Sequence, residues 1–147
     1  EERLAGALSG WMLLDLKSRR PKPVKDLDIA IKMFSEDKAV SNELKKIAFT
    51  EKITDNYNKK VIFDDIDVNQ HVNNVKYIEW ILGIFPYSYR KTHNIKSFEI
   101  NYSAEMTYED SAIINREILT EDFFRCSIVK EDNNKEVCRA EIEWEKL

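Results

Sequence analysis

The chain predicts an α+β fold, one antiparallel sheet wrapped over a single central helix with one sheet face buried. Two observations carry this. Segments 95–105, 112–119, 123–130 and 138–145 are strand-like, and in the first and last of them apolar and polar residues alternate, the period of half-buried strands. Ahead of them the period changes: Val75, Ile78, Ile81 or Leu82, and Phe85 recur every three or four residues, which is one face of a helix. A helix placed between a first strand and four more strands gives a sheet that closes over it.

The elements follow in order. Residues 4–16 are apolar around Trp11 and read as a buried strand. Arg19-Arg20-Pro21-Lys22-Pro23 stops it, because proline cannot continue a sheet ladder. Residues 27–56 form a charged connector, with a short helical turn expected over 41–48, where Leu44, Ile47 and Ala48 stand beside Lys45 and Lys46. Residues 60–67, rich in β-branched and aromatic side chains, are the next strand. The helix is capped by Asn73 or Asn74 and bounded by Pro86; Tyr77 and Trp80 on it are expected to pack between domains. In 95–105, Phe98, Ile100, Tyr102 and Ala104 alternate with Glu99, Asn101, Ser103 and Glu105. Asn133-Asn134 supplies a tight turn, since asparagine tolerates positive φ. Along the last strand Cys138, Ala140, Ile142 and Trp144 face one way and Arg139, Glu141, Glu143 and Glu145 the other.

Composition removes most chemistries. A length of 147 residues fits one domain, with 43% hydrophobic residues for a core and 34% charged for its surface. No apolar run approaches the ~20 residues of a membrane span. Two unpatterned cysteines, Cys126 and Cys138, suit a reducing compartment. The formal charge of −4 speaks against nucleic acid, although Lys17, Arg19, Arg20, Lys22 and Lys25 crowd into one short stretch, either a solvated linker or a docking patch for an acidic partner. The glycines Gly6, Gly10 and Gly83 are isolated, so neither a P-loop nor a dinucleotide fingerprint can form. The histidines are His71 and His93, and no metal-ligand spacing is present. Leu8-Ser9-Gly10 lacks the first glycine of a nucleophile elbow. A carboxylate, amide and imidazole set remains, acting on water or on an acyl carbon.

That set converges in 64–86. Asp67, Asn69 and His71 alternate in what is expected to be extended chain, so all three project from one side. The helix begins directly after them, and its start offers free N–H groups and a positive dipole end. Such a corner suits a carbonyl oxygen that gains negative charge. Each residue also has a plain structural alternative: Asp67 as a cap, Asn69 as a turn residue, His71 as a satisfied half-buried histidine, Glu105 as an exposed strand glutamate.

The run Asp67-Val-Asn-Gln-His-Val-Asn-Asn-Val-Lys-Tyr-Ile-Glu-Trp-Ile-Leu82, followed by Asn101-Tyr102-Ser-Ala-Glu105 on the next strand, resembles the acyl-ACP thioesterases of plants and bacteria. The segment from Trp11 through Arg19-Arg20-Pro21 resembles the closing strand of that family's first domain. The resemblance implies a tandem double hotdog of which this chain is the second half: 1–20 the closing strand of a mostly absent N-terminal hotdog domain, 21–56 the interdomain connector, 57–147 the C-terminal hotdog domain. It implies hydrolysis of fatty acyl-ACP to free fatty acid and holo-ACP, with Asp67, Asn69, His71 and Glu105 as catalytic residues and no cofactor or metal. The implied partner is acyl carrier protein bearing its acyl chain. Pairing would be hotdog to hotdog within the full chain, or as a homodimer, and the compartment the bacterial cytoplasm or the plant plastid stroma. Where plant members have a cysteine after the catalytic Glu, this chain has Met106, whose thioether cannot be a thiolate nucleophile. Strict alternation puts Glu105 on the polar side of its strand; a bulge near Ala104, or a site between domains, reconciles this. Two other classes stay open, a small hotdog acyl-CoA hydrolase and a non-catalytic acyl-binding hotdog. The segment before Arg19 speaks against the first and the intact four-residue set against the second.

Overall fold

The computed structural model describes residues 4–15, 17, 18, 20–23, 39–41 and 43–147, which fall into two compact units, 1–45 and 46–147. Arg19 and Lys25 of the basic stretch, and 24–38 of the connector, lie outside the described residues.

In the first unit β1 (Leu13–Leu14) pairs antiparallel with β2 (Pro21–Lys22). Asp15 closes the turn: its Oδ1 accepts from the amides of Lys17 and Ser18 and the Ser18 hydroxyl, and Lys22 Nζ lies 2.9 Å from Oδ2. These bonds, led by that of the Ser18 amide, hold the Asp15 carboxyl at about 2. Lys17, Arg20 and Lys22 of the basic stretch are thus part of a hairpin, and Pro21 opens its return strand. Among the described residues of 4–16 the expected buried strand is not formed. Only Leu13 and Leu14 pair, while Leu4 and Trp11 are 95% and 89% exposed. A two-residue ladder offers these apolar side chains no sheet face within their own unit.

The second unit is the α+β fold expected. Its five-stranded sheet runs β3-β5-β6-β7-β4, every neighbour antiparallel, from β3 (Asp55–Lys60), β4 (His93–Tyr102), β5 (Ser111–Thr120), β6 (Phe123–Lys130) and β7 (Glu136–Lys146). The sheet wraps over helix α1 (Asn74–Gly83), and a short helix α2 (Tyr87–Arg90) follows Pro86. Asn134 takes the positive φ expected of its turn, 55°. The helix face, however, is rotated from the one expected. Tyr77, Trp80, Ile81 and Ile84 are buried at the i, i+3, i+4, i+7 spacing, while Val75 is exposed. The large rings win because they remove most apolar area from water. Tyr77 and Trp80 therefore fill the core of this unit, edge to face with centroids 5.4 Å apart, rather than packing between domains.

No helix forms over the described residues of 41–48. The backbone of Ile47 is spent on the sheet instead: its N–H donates to Asn101 Oδ1 (2.7 Å) and its carbonyl accepts from Arg139 Nη1 (2.6 Å). Residues 47–54 continue as a strap over the outer sheet face. Glu117 accepts the amides of Glu51 and Lys52, Arg125 donates to the Phe49 carbonyl, and Thr50 meets Ser127 at 2.8 Å. The two faces of β7 divide as the alternation predicts, yet Arg139 and Glu141 on the polar one are buried, because the strap roofs them. Arg125 bridges Glu117 (3.4 Å) and Glu141 (2.8 Å) in this layer.

Candidate functional site

The strand expected over 60–67 ends at Lys60; Phe63–Asp65 is a 3₁₀ turn and 66–72 a tight loop closed by an Ile66–Val72 bridge. Asp67, Asn69 and His71 are therefore not alternate residues of an extended segment. The Asp67 N–H donates to the His71 carbonyl (2.8 Å) and the Gln70 N–H to the Asp67 carbonyl (3.0 Å), with Gln70 at φ 64°. Asp67 Oδ1 accepts from the Asn69 amide at 2.8 Å and the His71 amide at 3.4 Å. A short Asp side chain that satisfies the amides ahead of it favours a turn over a strand, which is why the alternating pattern misleads here. A non-glycine residue in the left-handed region is uncommon and points to a loop held for a purpose.

The carboxylate of Asp67 thus reaches His71 through the main chain. What faces the imidazole ring is Glu105, with Nε2 and Oε2 3.4 Å apart. The bulge expected near Ala104 brings it there: past Tyr102 the amides of Ser103 and Ala104 both donate to the Val137 carbonyl, at 2.8 and 3.2 Å, the two-to-one pairing that re-aims a strand end. Glu105 is 62% exposed on its side chain and His71 31%, so water and substrate can reach the pair. Met106, directly after it, is fully buried; its N–H donates to Tyr77 Oη (3.1 Å) and its carbonyl accepts from the Val72 amide (2.8 Å).

The helix start is less open than the sequence suggests. Asn73 is the cap, its Oδ1 accepting from the Val75 amide (3.0 Å), and its carbonyl takes the Lys76 amide. The Asn73 amide itself goes to the Asp65 carbonyl. Among the first helical amides this leaves the Asn74 N–H without an acceptor among the described residues. The Asn69 side chain is exposed and makes no polar contact with Asp67, His71 or Glu105 among the described residues, so its amide is available to a bound molecule.

Sequence reasoning missed Asp65. It is 4% exposed, accepts the Ile62 amide (3.0 Å), lies 3.7 Å from Lys59 Nζ and fixes Asn73, yet as one of two adjacent aspartates it reads as solvated. His93, to which the sequence assigns nothing, stacks on Tyr89 at 4.0 Å with Nε2 3.6 Å from Asp122. Among the described residues no group of three or more His, Cys, Asp or Glu side chains can hold a metal ion, and no helix is long and apolar enough to cross a membrane.

The chain is similar to known proteins in both sequence and fold. A family profile described as the acyl-ACP thioesterase C-terminal domain matches residues 47–146. The chain is 38% identical over 87 residues to a dodecanoyl-[acyl-carrier-protein] hydrolase of Cinnamomum camphora, covering 56% of this chain and 22% of that protein. It is 28% identical to a palmitoyl-acyl carrier protein thioesterase of Gossypium hirsutum, covering 97% of this chain and 38% of that one. The chain thus spans well under half the length of these curated relatives. Among solved structures, a 12:0-ACP thioesterase from Umbellularia californica superposes with a TM-score of 0.76 and 27% identity over 91% of this chain and 53% of its own. An acyl-ACP thioesterase from Bacteroides thetaiotaomicron gives 0.75 and 25% over 90% and 53%. The sheet wrapped on its helix is therefore a hotdog fold.

Proposed function

The chain belongs to the acyl-ACP thioesterase family, through that family's C-terminal domain, and from that premise we propose that it hydrolyses fatty acyl-ACP to free fatty acid and holo-ACP, ending fatty acid synthesis. The observation that supports this most is the approach of Glu105 Oε2 to His71 Nε2, 3.4 Å, beside the start of α1. Glu105 takes a proton from water as the water oxygen adds to the thioester carbon. The carbonyl oxygen, now carrying the negative charge, is received by the Asn69 side chain and the Asn74 N–H at the helix start. The C–S bond then breaks and the sulfur leaves with a proton, releasing the acid. His71 holds the Glu105 carboxylate in place, and Asp67 holds the loop that presents Asn69 and His71. Release of thiol from acyl-ACP and from acyl-CoA by the full chain tests the reading. Preference for acyl-ACP supports it; preference for acyl-CoA, or no hydrolysis, overturns it.

In this reading the 1–20 segment derives from the end of an N-terminal hotdog domain, the connector runs on from Pro21, and the catalytic hotdog, which takes in the strap and β3, pairs with that first domain within the full chain. The compartment follows the source, plastid stroma in a plant and cytoplasm in a bacterium; the curated plant relatives are named chloroplastic.

Two predictions arise here. Acyl carrier proteins are acidic, so docking uses the basic hairpin, where Lys17 and Arg20 are exposed and Lys22 is held by Asp15. Charge reversal at Arg19 and Arg20 should raise KM for acyl-ACP, spare a short acyl-CoA, and lose its effect at high salt, where screening acts within ~8 Å or less. Equal losses on both substrates would make these residues structural. Second, thiol reagents should leave hydrolysis unchanged. Cys126 and Cys138 are fully buried, and burial pushes both thiols up to about 12. Inhibition that tracks modification of either cysteine would contradict the carboxylate route.

A further inference from the structure

Two tyrosines tie the arm that carries Glu105 to the helix that starts beside His71, and the ties run in opposite directions. Tyr77, on α1, presents its Oη to the Met106 N–H at 3.1 Å. Tyr102, on β4, donates its hydroxyl to the carbonyl of Asn74, the first residue of α1, at 3.2 Å. The two rings lie 6.1 Å apart. The Met106 carbonyl is held in turn by the amide of Val72, next to His71. Met106, the residue directly after Glu105, is therefore held at both its N–H and its carbonyl.

A strand that has just bulged has lost its ladder partners, and without other restraints a half-exposed glutamate there samples many positions. Tyr77 is 1% exposed, and burial, first among the causes, pushes its phenol far above the ordinary range, so its oxygen stays a neutral hydroxyl that can only anchor. A phenylalanine at Tyr77 would fill the same core space beside Trp80, so the hydroxyl adds nothing to packing. Among the described residues its one polar contact is the amide that follows Glu105.

We propose that Tyr77 and Tyr102 are positioning residues, whose crossed hydrogen bonds set the Glu105 carboxylate opposite His71 in the geometry that hydrolysis needs. The inference rests on the hydrolytic reading above, and its test has one arm that does not. In the full chain, Tyr77→Phe should lower kcat for acyl-ACP by between about 10- and 100-fold with KM unchanged, the cost of a misplaced catalytic group. Tyr102→Phe, which removes a hydroxyl at the surface, should shift kcat in the same sense. The second arm reads His71 directly by the ring ¹⁵N signals. Glu105→Gln should move those signals in the otherwise unchanged protein and move them little in the Tyr77→Phe background, because Glu105 no longer sits against the ring. If the unaltered protein hydrolyses no thioester, the functional reading fails while this arm still decides the positioning claim. Wild-type kcat in both tyrosine variants, or a His71 response to Glu105→Gln that survives Tyr77→Phe, overturns it.

Discussion

Replacing Glu105 with alanine should reduce turnover by about 100-fold or more, the range for a positioned general base, while leaving the fold intact. The fold is safe because Glu105 lies past the end of β4, is 62% exposed and holds no backbone group of the sheet. Turnover is not, because Met106 offers no thiol that could take over from the carboxylate. Asn69→Ala should cost about as much, since it deletes an oxyanion donor. Asp67→Ala should act differently: it frees the amides of Asn69 and His71 together and so disorders both groups. Steady-state kinetics with acyl-ACP, alongside circular dichroism, separate these outcomes. Near-wild-type turnover in Glu105→Ala or Asn69→Ala would remove that residue from the mechanism.

The largest loss of stability is expected from Arg125→Ala. Its guanidinium lies between Glu117 and Glu141 and also donates to the Phe49 carbonyl of the strap, with both carboxylates under a tenth exposed. Removing one partner from a buried ion network costs about 3–5 kcal/mol, because the remaining charges stay desolvated without it. Replacement by methionine retains the aliphatic stem but leaves the same two carboxylates without their bridge, so it should recover little. Denaturant unfolding followed by far-UV circular dichroism measures this. A loss within the ~0–1 kcal/mol of a surface ion pair would mean the layer is wet.

How much of this was legible beforehand depended on whether local chemistry and long-range packing agreed. The last strand was readable because alternation of side chains is dictated by the pleat, and β7 at Glu136–Lys146 contains the expected 138–145. Asn134 and the helix cap were readable because each is a local bond between a side chain and its own backbone. The loop 66–72 was misread for the converse reason: an alternating Asp, Asn and His looks like a strand unless the Asp side chain is seen to satisfy amides two and four residues on. The buried helix face took in Tyr77 and Trp80 along with Ile81 and left Val75 out, because the rings remove most apolar area from water. The strap was illegible, since nothing in Ile47 to Thr54 itself announces that Asn101, Glu117 and Arg139 will take its backbone. By contrast the convergence of His71 and Glu105 was anticipated by motif and by the need for a bulge.

The strap also sets the order in which the polypeptide can become native as it is synthesised. Ile47 leaves the ribosome long before Arg139, the residue 92 positions later that receives its carbonyl. Until β7 exists, the strap has no floor: Arg125 lacks Glu141, β6 is an open edge, and β4 has no neighbour, because its partner is β7 alone. The nascent helix and first strands therefore wait as exposed apolar surface, a state prone to aggregation and suited to chaperone capture. Only once β7 has emerged do β4, β6 and the strap all find their partners, so the sheet and its roof are completed by the strand that comes last among them.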